Sequence, residues 1–252
     1  MKRKGFTLIE LLVVIAIIAL LMSILMPALA KVRDQALTIQ CVSNMKQWAL
    51  VCNMYLGDNG WILPAASGGE HGWVGVSVPY LENMDLWLCP EATKTFMEGG
   101  RQPFQAQDTM LFGDIKKTSY GFHDWVTSYI VGYPQFDPIL WKTSEVKEAS
   151  RVPLIAGCVR PWIVNPEHGN EPPEYEADVE YGGGLASGEG KNYVVNRHNG
   201  YSCGAFMDFS ARKIGLKESI WELEWHRNYN PGYAPPPDWP EWMKDFKEYY
   251  RF

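Results

Sequence analysis

The chain has no Cys-x-x-Cys pair, no two histidines four residues apart, no phosphate-binding glycine loop and no dinucleotide fingerprint. The first absence removes the local zinc-knuckle and thioredoxin-type patterns, and the last two remove the common nucleotide sites. No serine or cysteine sits in a recognisable nucleophile elbow, so no enzyme activity is expected. Positive charge is also short: 23 Lys and Arg against 29 Asp and Glu leave a net charge of −6. A general nucleic-acid binder would show a basic face, so nucleic acid is not an expected partner. The five cysteines, Cys41, Cys52, Cys89, Cys158 and Cys203, form an odd set. Disulfides are open to them outside the membrane, but one thiol must remain over and spacing alone assigns no pairs.

Charge is scarcest near the N-terminus, where Glu10 is the only charged residue from Phe6 to Ala30. As a helix that run spans roughly 37 Å, enough to cross a ~30 Å hydrocarbon core. Lys2, Arg3 and Lys4 precede it, so the positive-inside rule keeps the N-terminus cytoplasmic and places the remainder beyond the inner membrane. Glu10 is the anomaly. A carboxylate at mid-span costs about 2.5–3.5 kcal/mol on insertion scales, and less near the edge where Glu10 lies; it still asks for a partner. A plain signal anchor would match in hydropathy without needing this glutamate. A secretory signal peptide ending at Ala28-Leu29-Ala30 is a third reading, but the run exceeds the roughly 7–15 apolar residues of such signals.

Pro27 should kink or loosen the helix locally. Beyond it no breaker appears until Gly57, and Val42, Met45, Ala49, Cys52 and Leu56 share one face at helical spacing. One helix from about Phe6 to Leu56 is therefore predicted, half in the bilayer and half packed on a domain, with a turn at Asp58-Asn59-Gly60. Short extended pieces should follow: Trp61–Pro64, then a glycine-bearing loop at 66–69, Leu86–Pro90, Thr118–Phe122, Thr127–Val131 and Val152–Gly157, the last a plausible central strand. Residues 165–192, rich in Gly, Pro and Glu, read as an exposed loop. Ser202, Gly204, Phe206 and Asp208 alternate after Asn199-Gly200, which reads as a hairpin with its turn at Asn199-Gly200.

The block Lys4-Gly5-Phe6-Thr7-Leu8-Ile9-Glu10 closely resembles the class III signal of type IV prepilins and type II secretion pseudopilins. The resemblance implies a prepilin peptidase/methyltransferase that cuts after Gly5 and N-methylates Phe6. It also implies that Glu10, fifth in the mature chain, meets the N-terminal amine of a neighbouring pilin or pseudopilin subunit. Pro27 lies at the distance many pilins show. Loss of Lys2, Arg3 and Lys4 with the leader would take the net charge from −6 to −9. Calcium is known in some pseudopilins; Asp58, Asp137 and Glu174 to Glu180 offer oxygens, but no loop matches a ligand pattern, so neither cofactor nor metal is expected.

His198 and Asp208, separated by nine residues, resemble the His-x9-Asp-Gly signature of a pilin-like group found in planctomycete and verrucomicrobial bacteria. Cys41-x-Ser43-Asn44-Met45-Lys46-Gln47, Tyr55-x-x-Asp58-Asn59-Gly60, Cys89-Pro90 and Ser119-Tyr120-Gly121 also agree with that group. Phe209 replaces the signature glycine, so a turn needing positive φ would have to differ here. His198 and Asp208 could orient an imidazole, help bind a metal, or simply close a hairpin through a buried hydrogen bond, with Arg197 pairing Asp208. The last is the preferred reading.

At the C-terminal end Pro235-Pro236-Pro237 leads into Trp239, Trp242, Phe246 and Tyr249, which would share one face of a short helix docked on the domain. A subunit or substrate contact, or sugar stacking by some of the eleven tryptophans, are the alternatives. The expected organisation is α+β and pilin-like. It has a leader at 1–5, a transmembrane helix at 6–30 and its amphipathic continuation at 31–57. A loop-rich, antiparallel β-domain at 58–234, periplasmic or at the cell surface, and an aromatic tail at 235–252 complete it. Assembly into a type IV pilus or secretion pseudopilus is the predicted role. A membrane-anchored domain that binds carbohydrate or another surface ligand without polymerising is the rival.

Overall fold

A computed structural model describes residues 7–65, 73–81, 83–101, 103–111, 114–123, 125–128, 138, 140–158, 162–163, 195–221, 223–224, 227 and 238–247. Gly5, Phe6, the glycine loop at 66–69, the 165–192 segment, Pro235–Pro237 and Tyr249 lie outside those residues. The chain divides into two compact units, Met1–Ile39 and Gln40–Phe252.

Helix α1 runs Leu8–Asp58 and its helical conformation continues through Pro27. In the first unit every described residue up to Ala36 is exposed, and nearly all of them as far as Ala30 are apolar. Two hydroxyls are satisfied within the helix: that of Ser23 donates to the Leu20 carbonyl at 2.7 Å and that of Thr38 to the Asp34 carbonyl at 2.8 Å. Internal satisfaction is what a hydrocarbon environment requires.

In the second unit the remainder of α1 buries Cys41, Asn44, Met45, Trp48, Ala49, Val51, Cys52 and Leu56. The predicted stripe is present, but its centre lies further round the helix: Cys41 and Trp48 are buried, while Val42 is only partly so. Trp48 meets the edges of Trp87 and Phe122 at centroid distances of 4.9 and 5.1 Å, and its indole N–H donates to the Leu86 carbonyl at 2.8 Å. A large amphipathic ring with its one polar group paired is a natural core centre.

This face packs on a five-stranded sheet built from β3 (Tyr120–His123), β4 (Pro153–Gly157), β5 (Trp162–Ile163), β6 (Tyr201–Phe206) and β7 (Ala211–Gly215), in the order β5-β3-β4-β6-β7. All pairs are antiparallel except β3–β5. A separate hairpin joins β1 (Gln107–Leu111) to β2 (Asp114–Thr118). The architecture is thus the α+β arrangement expected: a long N-terminal apolar helix plus an antiparallel β-sheet domain. Strand β4 is central, as its apolar sequence implied. Side chains alternate across the sheet. Cys203 and Ala205 of β6 join the core facing α1, whereas Phe206 joins a second core with Ala156, Cys158, Ile214, Leu216, Leu223 and Met243.

Three local expectations are corrected. Leu86–Pro90 is no strand; Met84–Trp87 forms a 3-10 turn capped by the Asn83 side chain, which accepts from the Asp85 N–H. The nearby carbonyls of Leu86 and Trp87 are taken by Trp48 and by the Ser119 N–H, leaving no free ladder. The hairpin turn lies at 207–210, after β6, not at Asn199-Gly200. Among the described residues of the aromatic tail the helical structure is a 3-10 turn at Glu241–Met243, and Trp239, Trp242 and Phe246 pack on the domain's second core.

Candidate functional site

Among the described residues, two places hold polar chemistry that packing alone does not explain. The first is the start of α1. Glu10 Oε2 accepts from the Thr7 N–H at 2.8 Å and the Thr7 hydroxyl at 2.7 Å, while the Glu10 N–H donates back to Thr7 Oγ1 at 3.3 Å. This is a reciprocal capping box at a helix N-terminus, where the dipole also favours a carboxylate. The partner that Glu10 requires within one chain is therefore Thr7. All three bonds leave Oε1 outside the box, directed to no described residue.

The second place is where α1 crosses the sheet. Cys41 enters from the buried face of α1, Cys89 from the start of the turn closed by the Ala92 N–H on the Cys89 carbonyl, and Cys203 from β6. His198 stands in the tight bend before β6, where the N–H groups of Arg197 and His198 both donate to the Tyr201 carbonyl at 3.3 and 3.0 Å. Asn199 and Gly200 have φ of 52° and 87° there. A Cβ at Gly200 would lie 3.0 Å from Phe246 Cδ1, so the bend needs glycine for both conformation and space.

The four side chains converge. The ligand atoms of Cys41, His198 and Cys203 lie within 4.8 Å of one another. Cys89 Sγ lies 3.7 Å from Cys41 Sγ and 3.6 Å from His198 Nε2. On its other side His198 Nδ1 faces Glu91 Oε1 at 4.0 Å. No disulfide joins any of the five cysteines, and all are buried. The Cys41 thiol is pushed well up by its hydrogen bond with Cys203 and by burial, and the Cys89 thiol by its bond with Cys41 and by burial. The Tyr120 hydroxyl, 3.3 Å from Cys41 Sγ, is likewise raised by burial. These residues could hold a soft metal ion. Cys52 and Cys158 stand elsewhere, Cys52 deep in the helix-facing core and Cys158 in the second core.

Arg197 is 3 % exposed and spreads its guanidinium over four carbonyls: Pro103 at 2.7 Å, Gln105 at 3.1 Å, Cys158 at 2.9 Å, and Ser119. It therefore ties several loops together and does not pair Asp208. Asp208 is exposed and caps its own turn, accepting from the Ser210 N–H at 2.9 Å and the Ser210 hydroxyl at 2.6 Å. The structure does not bring His198 and Asp208 together, because they flank opposite ends of β6, roughly 16 Å of extended chain. Phe209 has φ of 60°, so the left-handed conformation expected to require glycine is held here by phenylalanine. Its carbonyl accepts from Lys46 Nζ at 2.9 Å, and its ring is partly buried on the core.

Sequence reasoning missed the four-residue cluster because its members are spread from position 41 to position 203. Cys41, Cys89-Pro90 and His198 stood in the segments that matched the second resemblance, and that coincidence was the only available signal.

A family model, the prokaryotic N-terminal methylation motif, matches residues 1–26. No curated protein and no solved structure matches the chain significantly. On a helix long and apolar enough to cross a membrane, the matched motif supports a type IV pilin-like precursor, without separating pilus from pseudopilus.

Proposed function

We propose that the chain is a structural subunit of a type IV pilus or type II secretion pseudopilus. A prepilin peptidase cuts after Gly5, Phe6 is methylated, and the apolar half of α1 first anchors the subunit in the inner membrane and then packs among its neighbours. The observation that carries this reading is the methylation motif at residues 1–26, set on a helix exposed on every side from Thr7 to Ala36. Such a surface needs either lipid or other helices around it. The positive-inside bias of Lys2, Arg3 and Lys4 supports a second unit on the periplasmic or outer face.

The chemistry of assembly follows from Glu10. Cleavage creates an amine at Phe6, a positive charge that hydrocarbon would not tolerate alone. Oε2 of Glu10 is engaged by Thr7, so Oε1 is the acceptor left for the amine of an adjacent subunit. A pair of this kind fixes axial register between otherwise featureless apolar helices.

The test is the mass of the mature N-terminus from the membrane fraction. A chain starting at methylated Phe6 is expected. A start at Lys31 would mean ordinary secretion, and an intact Met1 would leave the anchored, non-polymerising binding domain. Glu10→Ala is expected to be processed normally and to be absent from sheared filaments; unchanged assembly would remove Glu10 from the mechanism.

A further inference from the structure

We propose that Cys41, Cys89, Cys203 and His198 bind one zinc ion as a closed, structural Cys3His centre.

Geometry comes first. Zinc bound at about 2.3 Å to sulfur and about 2.0–2.1 Å to nitrogen in a tetrahedron sets S–S edges near 3.7–3.8 Å and S–N edges near 3.5–3.6 Å. The observed Cys41–Cys89 and Cys89–His198 separations are 3.7 and 3.6 Å. The Cys41, His198 and Cys203 ligand atoms lie within 4.8 Å of each other, and Cys89 reaches that set through Cys41 and His198, so closing the tetrahedron requires the Cys89 and Cys203 thiols to draw together around the ion. A disulfide between Cys41 and Cys89 would instead require the sulfurs to close to about 2.05 Å.

The surroundings fit the same ion. Three thiolates and an imidazole are soft donors that select zinc over calcium or magnesium. Four protein ligands without a solvent-facing position mark structural rather than catalytic zinc. His198 offers Nε2 to the cluster and turns Nδ1 toward the Glu91 carboxylate 4.0 Å away, close enough for a short side-chain shift to give the carboxylate–imidazole hydrogen bond that orients metal-bound histidines. Zn2+ with three thiolates carries one net negative charge, which burial penalises unless it is balanced. Arg197, the residue before His198, supplies that balance. Its guanidinium is buried and meets only carbonyls among the described residues, including that of Ser119, whose hydroxyl accepts from the Cys89 N–H at 2.5 Å. Burial also shields the thiols from exchange with external disulfides, which requires access.

The centre would fasten α1, the 89–90 turn and β6 at one point, with the ion's binding energy contributing directly to the fold. The test uses the untagged full-length chain, purified in detergent without chelator, with metal content measured by plasma mass spectrometry. One zinc per chain is expected, and it should persist in Cys52→Ser. Less than a tenth of that should remain in Cys89→Ser and in His198→Ala. Because those variants could lose the metal by unfolding, wild-type chain reconstituted with cobalt provides a second readout. It should show a thiolate-to-cobalt charge-transfer band. A metal-free chain with five titratable thiols, a Cys41–Cys89 disulfide in the peptide map, or zinc retained equally by the Cys41→Ser/Cys89→Ser double variant would each overturn the proposal.

Discussion

The two halves of α1 obey opposite rules within one helix. From Leu8 to Ala30 the residues are apolar and exposed all round, apart from Glu10 and Ser23, and no direction around the axis is distinguished. From Cys41 to Leu56 the same backbone carries a sharply one-sided pattern, with Cys41, Met45, Trp48 and Cys52 buried and Lys46, Leu50 and Met54 outside. The first half is suited to a surrounding that is uniform in every direction; the second has already chosen its neighbour. Secondary structure is therefore indifferent to the change, and the distribution of side chains alone records which solvent each half meets.

The sharpest way to break this comparison is Trp48→Ala. Removing the ring that meets Trp87, Phe122 and the Leu86 carbonyl should cost the domain about 3–5 kcal/mol. Urea titration of the detergent-solubilised chain, followed by tryptophan fluorescence, would read this, and membrane recovery should stay unchanged. The reverse change is Ile18→Arg, which should cost about 2.5–3.5 kcal/mol of insertion at mid-span. Carbonate extraction should then move a large share of the protein out of the membrane, with the domain's urea midpoint unmoved. Met243→Ala, fully buried where the tail docks, should lower domain stability by about 2 kcal/mol. Increased protease nicking near the C-terminus would check that. The smallest effect concerns Phe209. Phe209→Ala loses its packing while keeping a strained φ of 60°, whereas Phe209→Gly loses the packing but relieves the strain. The glycine variant should be the more stable of the two by about 1 kcal/mol.

Much of this was legible in the sequence for definite reasons. An uninterrupted apolar run has one physical solution, and spacing of three and four marks a helix face. Val152–Gly157 could be read as a central strand because an apolar run bounded by breakers has few alternatives. What stayed hidden was settled by long-range partners. Leu86–Pro90 looks extended until Trp48 and Ser119 claim its carbonyls. The tail aromatics have helical spacing, yet Trp239, Trp242 and Phe246 pack on the second core around a 3-10 turn. His198 and Asp208 share a recognisable spacing, but spacing along an extended strand carries them apart. Beyond the place of Cys41 and Cys89 in the resembling segments the cysteines gave no warning, because convergence of positions 41, 89 and 203 is a property of the fold and of no local pattern.

Arg197 also has a consequence in time. The carbonyls it collects belong to Pro103, Gln105, Ser119 and Cys158, all made before it, and β4 waits for β6 to cover its free edge. As the chain is synthesised from its N-terminus, α1 is complete long before the strand that makes the centre of its domain exists. Non-local pairing of this kind is slow, and an unfinished chain presents Trp48 and its neighbours unprotected, the condition under which chains misassemble. The last quarter of the sequence thus completes the sheet of the second unit, and until it arrives the growing chain carries apolar surface that its own later strands are meant to cover.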